Sequence, residues 1–359
     1  MRLGEASLSA IELRGVAKHW GTTRAVDGIN LTAPQGSLVV LLGPSGCGKS
    51  TLLRLIAGLE ETTEGTIRIG GEDVTRLPPA RRHLAMVFQN YALFPHLDVR
   101  ENILFGLKVR KVAAADRERR LKRVAELLAI GHLLERKPGQ LSGGQQQRVA
   151  LGRAIIAEQP VCLMDEPLSN LDAQLRQDMR REIRGLQREL GVTMIYVTHD
   201  QTEAMSMADQ VVLLRDGRVE QDATPAELYA RPATLFVAAF IGTPPMNRLA
   251  LADGPHGACI KGDPLAVIGA GGGTGLVLGV RPEDMVLAVD GAEGLGAIVE
   301  SSEYFGADTI VACRIGTETA LIRCAGNRLM PPGTAVRVGW TDGAAHLFDA
   351  GTGRRRDDD

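Results

Sequence analysis

The stretch from Gly43 to Thr51 constrains the fold more than any other part of this 359-residue chain. It follows the apolar run Leu38–Leu42 and precedes a helix-like segment at 52–57, which is the strand, glycine-rich loop and helix order of a P-loop. Glycines let backbone N–H groups converge on a phosphate, and the helix adds the positive end of its dipole. The pattern therefore predicts a polyphosphate site formed by Gly43, Pro44, Ser45, Gly46, Cys47, Gly48, Lys49, Ser50 and Thr51.

Four polar side chains are expected to carry the chemistry of this site. Lys49 would bring an ammonium group to the β- and γ-phosphates, and Ser50 a hydroxyl to Mg²⁺. The apolar run 161–164 ends in Asp165 and Glu166, and an acid at the carboxyl end of a parallel strand faces the ligand crevice. We expect Asp165 to bind Mg²⁺ and Glu166 to act as the base that activates water. Adjacent acids also begin helices, but the upstream P-loop favours the catalytic interpretation.

A second anion-binding pattern lies at 141–148. Ser142 is placed to cap a helix that starts after it, and Gly143, Gly144 and Gln145 leave backbone N–H groups exposed at the helix start. The residues alone permit two explanations. The loop binds a second ligand, or it covers the nucleotide of a neighbouring copy.

Trp20 and His199 each have a structural and a functional interpretation. Trp20 precedes Gly21, and its indole either packs in the sheet or offers a flat face on which adenine stacks. His199 follows the buried run 193–197 at the sheet edge that carries Asp165 and Glu166. We favour the adenine platform for Trp20 and a γ-phosphate contact for His199.

Composition narrows the classes of function. A formal net charge of −2 argues against a nucleic-acid binder that works by global charge. No apolar run approaches the roughly 18 residues that cross a bilayer, so a membrane role is expected to depend on docking to another protein. The N-terminus lacks the profile of a secretory signal, and the five cysteines contain no C-x-x-C pair, which favours free thiols in a reducing cytoplasm.

The character of the sequence changes once along the chain. Residues 8–240 read as an α/β unit, with an antiparallel β pattern at 11–42 and a helical insert at about 90–155. A turn-rich linker at 242–247 introduces short, glycine-spaced β runs in a domain predicted to span 241–353. Residues 354–359 are predicted to be a frayed tail.

Six motifs in a fixed order give the first 240 residues a family resemblance. They resemble an ATP-binding cassette ATPase, so the expected fold is an α/β P-loop NTPase cassette with an antiparallel β subdomain and a helical insert. The resemblance implies that Gln89 binds Mg²⁺ and couples to partners, that Glu166 is the base, and that His199 is the switch histidine. Gln146 departs from the family, where relatives usually carry Arg, and little effect on catalysis is expected. The motifs are 43–51, Gln89, 141–145, Asp165 with Glu166, 169–172, and His199.

The family resemblance also implies partners. It implies a head-to-tail homodimer with two ATP molecules between the subunits, in which Ser142 and Gly144 of one copy meet the phosphates held by Lys49 of the other. Asp172 would lie in the dimer-contact loop. Two transmembrane permeases and an extracytoplasmic solute-binding protein would complete the assembly at the cytoplasmic face of the inner membrane, with no nucleic acid. Tyr91 to Phe94 would form a groove for a permease helix, unless these side chains pack in the core.

The last third is similar to the all-β, OB-like regulatory domain of the carbohydrate-importer branch. It looks most like the ATPase subunits of sn-glycerol-3-phosphate importers, with those of maltose and trehalose importers close behind, through segments 240–247, 279–284, 305–308 and 347–353. Uptake of maltose, trehalose or polyamines remains an alternative. A soluble cassette ATPase acting on nucleic acid is a further alternative, but neither a second cassette nor sustained heptads occur.

Overall fold

The computed structural model describes residues 9–269, 271–288 and 294–356. The chain divides into two compact units, Met1–Pro225 and Ala226–Asp359. The boundary falls after the first residue of a short helix at Pro225–Ala230. The sequence assigns this helix and the next one to the first domain, which is predicted to end at residue 240. Residue 8, where that predicted domain begins, lies outside the described residues. No helix in the described part of the chain combines the length and the apolar character needed to cross a bilayer.

The described strands of the first unit form two sheets. A small antiparallel sheet has the order β2-β1-β4-β5, and a larger sheet has the order β10-β9-β3-β8-β7-β6. The strands are β1 (Ser9–Trp20), β2 (Thr23–Pro34), β3 (Leu38–Leu42), β4 (Glu64–Ile69), β5 (Glu72–Asp73), β6 (Leu84–Val87), β7 (Val161–Asp165), β8 (Thr193–Val197), β9 (Gln210–Arg215) and β10 (Arg218–Ala223).

The larger sheet places the predicted site residues along one edge. Strands β6, β7, β8, β3 and β9 pair in parallel, and β10 pairs antiparallel with β9. Every residue of β3, β7 and β8 is buried, as expected of parallel strands that are covered on both faces. The loops that follow β3, β6, β7 and β8 therefore meet at the carboxyl edge of the sheet. These loops carry the P-loop, Gln89, Glu166 and His199.

Helices cover the larger sheet and form the predicted insert. Gly58 ends the first helix in the left-handed conformation, and Asp98, Ser142 and Asp172 cap the starts of the second, fourth and fifth helices. The fifth helix buries Met179, Ile183 and Leu186, which recur every three or four residues along one face. The helices are α1 (Lys49–Ala57), α2 (Val99–Val109), α3 (Ala114–Leu127), α4 (Gly143–Ile155), α5 (Ala173–Leu190) and α6 (Gln201–Met207), with single 3₁₀ turns at Pro79–Arg81, Gly131–Leu133 and Pro138–Gln140.

The second unit begins with two short helices and continues as β structure. Two antiparallel sheets, β13-β12-β11-β14-β20-β21 and β15-β19-β16-β17-β18, share an apolar core. The elements are α7 (Pro225–Ala230), α8 (Leu235–Phe240), β11 (Asn247–Gly254), β12 (Gly257–Ile260), β13 (Val267–Gly269), β14 (Leu276–Val280), β15 (Met285–Ala288), β16 (Leu295–Tyr304), β17 (Asp308–Ile315), β18 (Glu318–Ala325), β19 (Ala335–Trp340), β20 (His346–Asp349) and β21 (Arg355–Arg356).

Two features of the second unit differ from the expectations. The sequence signals the strands from 275 onward but misses β11, β12 and β13, because glycine and proline interrupt their apolar pattern. Within the predicted frayed tail, Arg355–Arg356 pairs with Phe348 and Leu347 of β20. Residues 357–359 lie outside the described residues.

Candidate functional site

The P-loop crosses from β3 to α1 in a conformation that glycine permits. Gly43, Gly46 and Gly48 have φ angles of 151°, 80° and 102°, which L-residues rarely adopt. A Cβ atom at Gly48 would overlap the carbonyl oxygen of Ala25, and one at Gly43 would overlap that of Leu214. The loop is therefore held against neighbouring backbone, with Ser45 and Gly46 exposed at its crest.

Lys49 is folded back onto its own loop. Its Nζ donates hydrogen bonds to the carbonyl oxygens of Gly43 at 2.8 Å and Pro44 at 2.9 Å. The side chain is only 5% exposed, so its positive charge is held inside the loop where a phosphate would be enclosed. Cys47 Sγ lies 3.8 Å from the same amine, and burial raises the pKa of this thiol, which therefore stays neutral.

Ser50 and Asp165 form a pair of oxygen donors. Ser50 Oγ donates to Asp165 Oδ1 at 2.7 Å, which joins the first turn of α1 to the carboxyl end of β7. Asp165 is 6% exposed. A hydroxyl and a carboxylate side by side at a phosphate loop match the oxygen ligands that Mg²⁺ prefers. The donor set therefore fits Mg²⁺.

Gln89 lies next to this pair along the sheet edge. It follows β6, which is the parallel neighbour of β7. Its side chain is exposed, and its backbone carbonyl accepts a hydrogen bond from Asn170 Nδ2 at 3.1 Å. This bond ties the loop after β6 to the loop after β7.

Glu166 and His199 meet across adjacent strand ends. His199 Nδ1 lies 3.1 Å from Glu166 Oε2. The histidine side chain is 57% exposed and the glutamate side chain 19% exposed. Because the imidazole is in contact with one carboxylate oxygen, it restricts the direction of the carboxylate and leaves the other oxygen for a water molecule.

Glu166 is held in an unusual backbone conformation. Its φ is 44°, in the left-handed region, where a residue without a local hydrogen-bonding side chain is strained. The Glu166 N–H donates to Val197 O at 3.1 Å, and Ser169 Oγ donates to Glu166 O at 3.0 Å. These bonds fix the turn that projects the carboxylate from the sheet edge. Nothing in the sequence pattern indicated this strain.

A buried acid supports the segment that carries His199, and sequence reasoning missed it. Glu203 Oε2 accepts hydrogen bonds from Tyr196 Oη at 2.9 Å and Thr198 Oγ1 at 2.7 Å. Glu203 is 4% exposed and lies on α6, directly beneath the turn that begins at Thr198. The sequence did contain one signal for this role, because Glu203 follows His199 by four residues, which is about one helical turn. The network holds the base of the turn in place from inside the protein.

The titration of Glu203 gives a test of this network. Burial raises the pKa of Glu203 above its ordinary value of 4.5. The folded state therefore holds this proton more tightly than the unfolded state, so the stability contributed by Glu203 falls as the pH rises above 4.5. Glu203→Gln removes the titration and keeps an acceptor oxygen. We expect the free energy of unfolding of the variant, relative to the parent, to increase between pH 5 and pH 8 in urea denaturation.

The control for this measurement is Glu189→Gln, on the exposed end of α5. It should produce no comparable trend with pH. Glu203→Ala leaves two buried hydroxyls without their acceptor and should destabilise the fold by about 2–5 kcal/mol. A stability difference for Glu203→Gln that stays flat across this pH range would contradict the assignment.

The predicted second anion site is a well-formed helix start. Ser142 Oγ accepts from Gln145 N at 3.4 Å, and Gln145 Oε1 accepts from Ser142 N at 3.0 Å, so the two residues form a reciprocal cap at the start of α4. Ser142 and Gly143 are exposed, while Gly144 packs against Leu175 of α5. The exposed first turn leaves backbone N–H groups available to an anion from outside the subunit.

Gln146, the position that departs from the family, has a local structural role. Its Nε2 donates to Pro138 O at 3.1 Å and to Leu141 O at 3.3 Å. These bonds hold the approach to α4 in place. The side chain is therefore engaged by the segment that precedes α4, and the small effect expected on catalysis stays a prediction.

Trp20 is 49% exposed at the end of β1, so the indole is not a core residue. Lys18 Nζ lies 5.3 Å from the ring centroid and also forms an ion pair with Glu60 at 3.2 Å. An exposed, flat ring held on one side by a cation matches the predicted platform for a base.

The aromatic segment after Gln89 divides between packing and exposure. Tyr91 is 5% exposed and packs in the interior, as the core-packing interpretation expects. The ring of Phe94 instead contacts that of Phe105, with 4.5 Å between the ring centroids and an angle of 43° between the planes, and Phe105 is 40% exposed. Arg153 donates to the carbonyls of Tyr91 at 2.8 Å and Ala92 at 2.6 Å and lies over the Phe94 ring. The segment thus places a pair of aromatic rings, half-buried Phe94 and exposed Phe105, at the helical insert.

Two family models match the chain. The model of the ABC transporter family matches residues 26–169, and the model of the TOBE domain matches residues 278–348. The first match contains the P-loop, Gln89, the α4 cap and both strand-end acids. The second match lies in the β structure of the second unit and agrees with the predicted OB-like domain.

Relatives extend the similarity to almost the whole chain. The sn-glycerol-3-phosphate import ATP-binding protein UgpC of Cereibacter sphaeroides is 49% identical, over 97% of this chain and 100% of the relative. The sulfoquinovosyl glycerol transport ATP-binding protein SmoE of Agrobacterium fabrum is 46% identical, over 97% of this chain and 99% of the relative.

A solved structure supports the same assignment for the first unit. The dimeric post-hydrolysis structure of the ATP-binding cassette MJ0796, bound to ADP and Pi, is 31% identical, covers 60% of this chain and 98% of its own, and has a TM-score of 0.54. The predicted family and the predicted fold class are both confirmed. The chain belongs to the ABC transporter family, as one of its ATPase subunits.

Proposed function

We propose that this chain is the ATP-hydrolysing subunit of an importer for sn-glycerol-3-phosphate. The main support is 49% identity to an sn-glycerol-3-phosphate import ATP-binding protein over nearly its full length. In addition, the nucleotide-site residues lie together at one edge of the sheet. The relative named for sulfoquinovosyl glycerol transport makes that solute a second candidate. Both solutes are anionic derivatives of glycerol.

The site residues divide the hydrolysis reaction among them. Lys49 leaves the carbonyls of Gly43 and Pro44 to bind the β- and γ-phosphates, together with the N–H groups of the loop. Ser50, Asp165 and Gln89 would hold Mg²⁺, which neutralises charge on the phosphate oxygens. Glu166 accepts a proton from the attacking water, and His199 orients that carboxylate and contacts the γ-phosphate.

Two copies are needed to enclose each nucleotide. The exposed turn at Ser142 and Gly143 presents the first N–H groups of α4, which have no carbonyl of a preceding helical turn to bond. We infer a head-to-tail homodimer in which this turn of one copy completes the P-loop site of the other, with Asp172 in the contact loop. The dimeric form of the MJ0796 cassette supports this inference.

Closure of the dimer would drive transport through two permeases, with a solute-binding protein delivering the cargo. The surface that we assign to a short permease helix is formed by exposed Phe105 and half-buried Phe94, which follows Gln89 along the chain. This assigns the subunit to the cytoplasmic face of the inner membrane as a peripheral component.

Reconstitution tests the proposed cargo. The chain, its permeases and its solute-binding protein are placed in proteoliposomes, and ATPase activity is measured with sn-glycerol-3-phosphate, sulfoquinovosyl glycerol, maltose, trehalose and a polyamine. The first solute should stimulate hydrolysis and accumulate in the vesicles. Stimulation by another solute alone would overturn the cargo assignment and leave the ATPase assignment intact.

Trp20→Ala should weaken ATP binding about tenfold, because stacking a base on an aromatic ring contributes about 1–3 kcal/mol. The indole is half exposed, so the melting temperature should change little. Trp20→Phe keeps a ring and serves as the matched control. The dissociation constants are measured with a fluorescent ATP analogue. Equal values for the parent and Trp20→Ala would show that Trp20 does not stack on adenine and has only a structural role.

A further inference from the structure

A cavity of about 790 Å³ lies in the first unit, away from the P-loop. Val161 and Thr193, the first residues of β7 and β8, line it. The P-loop follows the last residue of β3, which is parallel to β8. The cavity is therefore at the amino edge of the sheet, opposite the nucleotide site, and no step of hydrolysis uses it.

The interior of the cavity is apolar. Ala85, Cys162 and Met194 form its floor and are buried in the sheet. The other walls are Val124 and Leu127 of α3, with Ile155 at the end of α4. Burial raises the pKa of Cys162 to about 12, so this thiol is neutral and behaves as a small apolar group. Such a surface favours a hydrocarbon-like body.

The rim carries more positive than negative charge. Four arginines and two glutamates line the cavity, together with His83. Two of the arginines are already engaged. Arg82 donates to the carbonyls of Leu55 at 2.7 Å and Ile56 at 3.0 Å, and Arg120 pairs with Asp116 and Glu158, both at 2.8 Å.

The other two rim arginines remain available. Arg81 precedes β6 and Arg123 lies on α3; both are exposed, and neither forms an ion pair within the described parts of the chain. Of the rim acids, Glu158 is neutralised by Arg120, which leaves Glu72. Among the described residues, the cavity therefore has two guanidinium groups and one carboxylate without an ion-pair partner. Their net charge of +1 suits a ligand with a single negative charge.

We propose that this cavity binds an amphiphilic monoanion, with the apolar body on the sheet floor and the carboxylate or sulfate head between Arg81 and Arg123. Its volume is within the range of roughly 300–1,000 Å³ that small-molecule pockets occupy. A planar guanidinium binds a carboxylate through two parallel hydrogen bonds, which fixes the head at the rim. The ligand would contact α3 of the insert and the strands β7 and β8 together.

Calorimetric titration of the full-length, nucleotide-free chain with dodecanoate, below its micelle concentration, tests the proposal. We expect saturable binding of one ligand per chain. Arg81→Glu and Arg123→Glu should each weaken binding about tenfold, because each removes a charge-assisted bond and adds repulsion. Lys122→Glu is the matched control: it is exposed on the same helix but lies outside this cavity, and it should change affinity less than twofold.

Two further measurements test separately how much the charged head group and the apolar chain of the ligand contribute to affinity. Dodecanol lacks the charge and should bind at least tenfold more weakly than dodecanoate. Ile155→Trp fills the apolar cavity and should abolish binding, with circular dichroism as the check on folding. Non-saturable binding, equal affinity for the alcohol, or unchanged affinity in the exposed-site variant Arg123→Glu would each overturn the proposal.

Discussion

Replacing Glu166 by glutamine is expected to lower the rate of ATP hydrolysis at least about a hundredfold, because a positioned general base contributes roughly 10²–10⁴ in rate. The glutamine side chain has the same shape and can still meet His199, but it cannot accept the proton of the attacking water. ATP binding should survive, because the P-loop, Lys49 and the Ser50–Asp165 pair are untouched. The measurement is phosphate release at saturating Mg·ATP, with nucleotide binding followed separately.

The matched control is Glu158→Gln, an exposed acid that pairs with Arg120 far from the carboxyl edge. Its rate of ATP hydrolysis should be within twofold of the parental rate. His199→Ala should also slow hydrolysis, since the carboxylate then loses the contact at 3.1 Å that restricts it. Turnover at the parental rate in Glu166→Gln would show that another group is the base.

The second large effect is expected at Lys49. Lys49→Met should raise the dissociation constant of ATP about a hundredfold or more, because charge-assisted hydrogen bonds to phosphate contribute about 1.5–3 kcal/mol each. The same substitution removes the hydrogen-bond donor of two carbonyls, those of buried Gly43 and half-buried Pro44. It should therefore destabilise the fold by about 1–3 kcal/mol.

Lys111→Met, on the exposed loop between α2 and α3, is the control for the loss of a positive charge. It should leave ATP affinity unchanged. Fluorescence titration with an ATP analogue measures the affinity of each variant, and thermal denaturation measures its stability. Weak binding by a chain that still unfolds cooperatively supports the assignment, whereas parental affinity in Lys49→Met would contradict it.

The sequence allowed the cassette fold and the residues of its strand ends to be anticipated for clear physical reasons. Parallel strands are buried on both faces, so β3, β7 and β8 appear as short apolar runs. Their ends must face one crevice, so the polar residues that follow them were expected to meet there. Ser142 was expected as a helix cap because its side chain and the following glycines satisfy the backbone groups at a helix start.

Other features depend on contacts that no local pattern encodes. The left-handed conformation of Glu166 arises from its bonds to Val197 and Ser169, which become neighbours only in the folded chain. The acceptor role of Glu203 depends on α6 folding back so that this carboxylate reaches the hydroxyl of Tyr196 on β8. The strands β11 to β13 were missed because pairing partners hold them despite their glycines. The cavity depends on α3 lying over the amino edge of the sheet, which periodicity alone does not specify.

The central claim is that neither copy has a complete reaction centre until two copies enclose ATP. Sedimentation of the hydrolysis-deficient Glu166→Gln chain, with and without Mg·ATP, tests it most directly. The account predicts that the chain sediments as a monomer without nucleotide and as a dimer with Mg·ATP. It also predicts that adding Ser142→Glu, whose acid would repel the facing phosphates, abolishes the ATP-dependent dimer. A chain that stays at the mass of one copy with Mg·ATP, even in the presence of its permeases, would contradict the account.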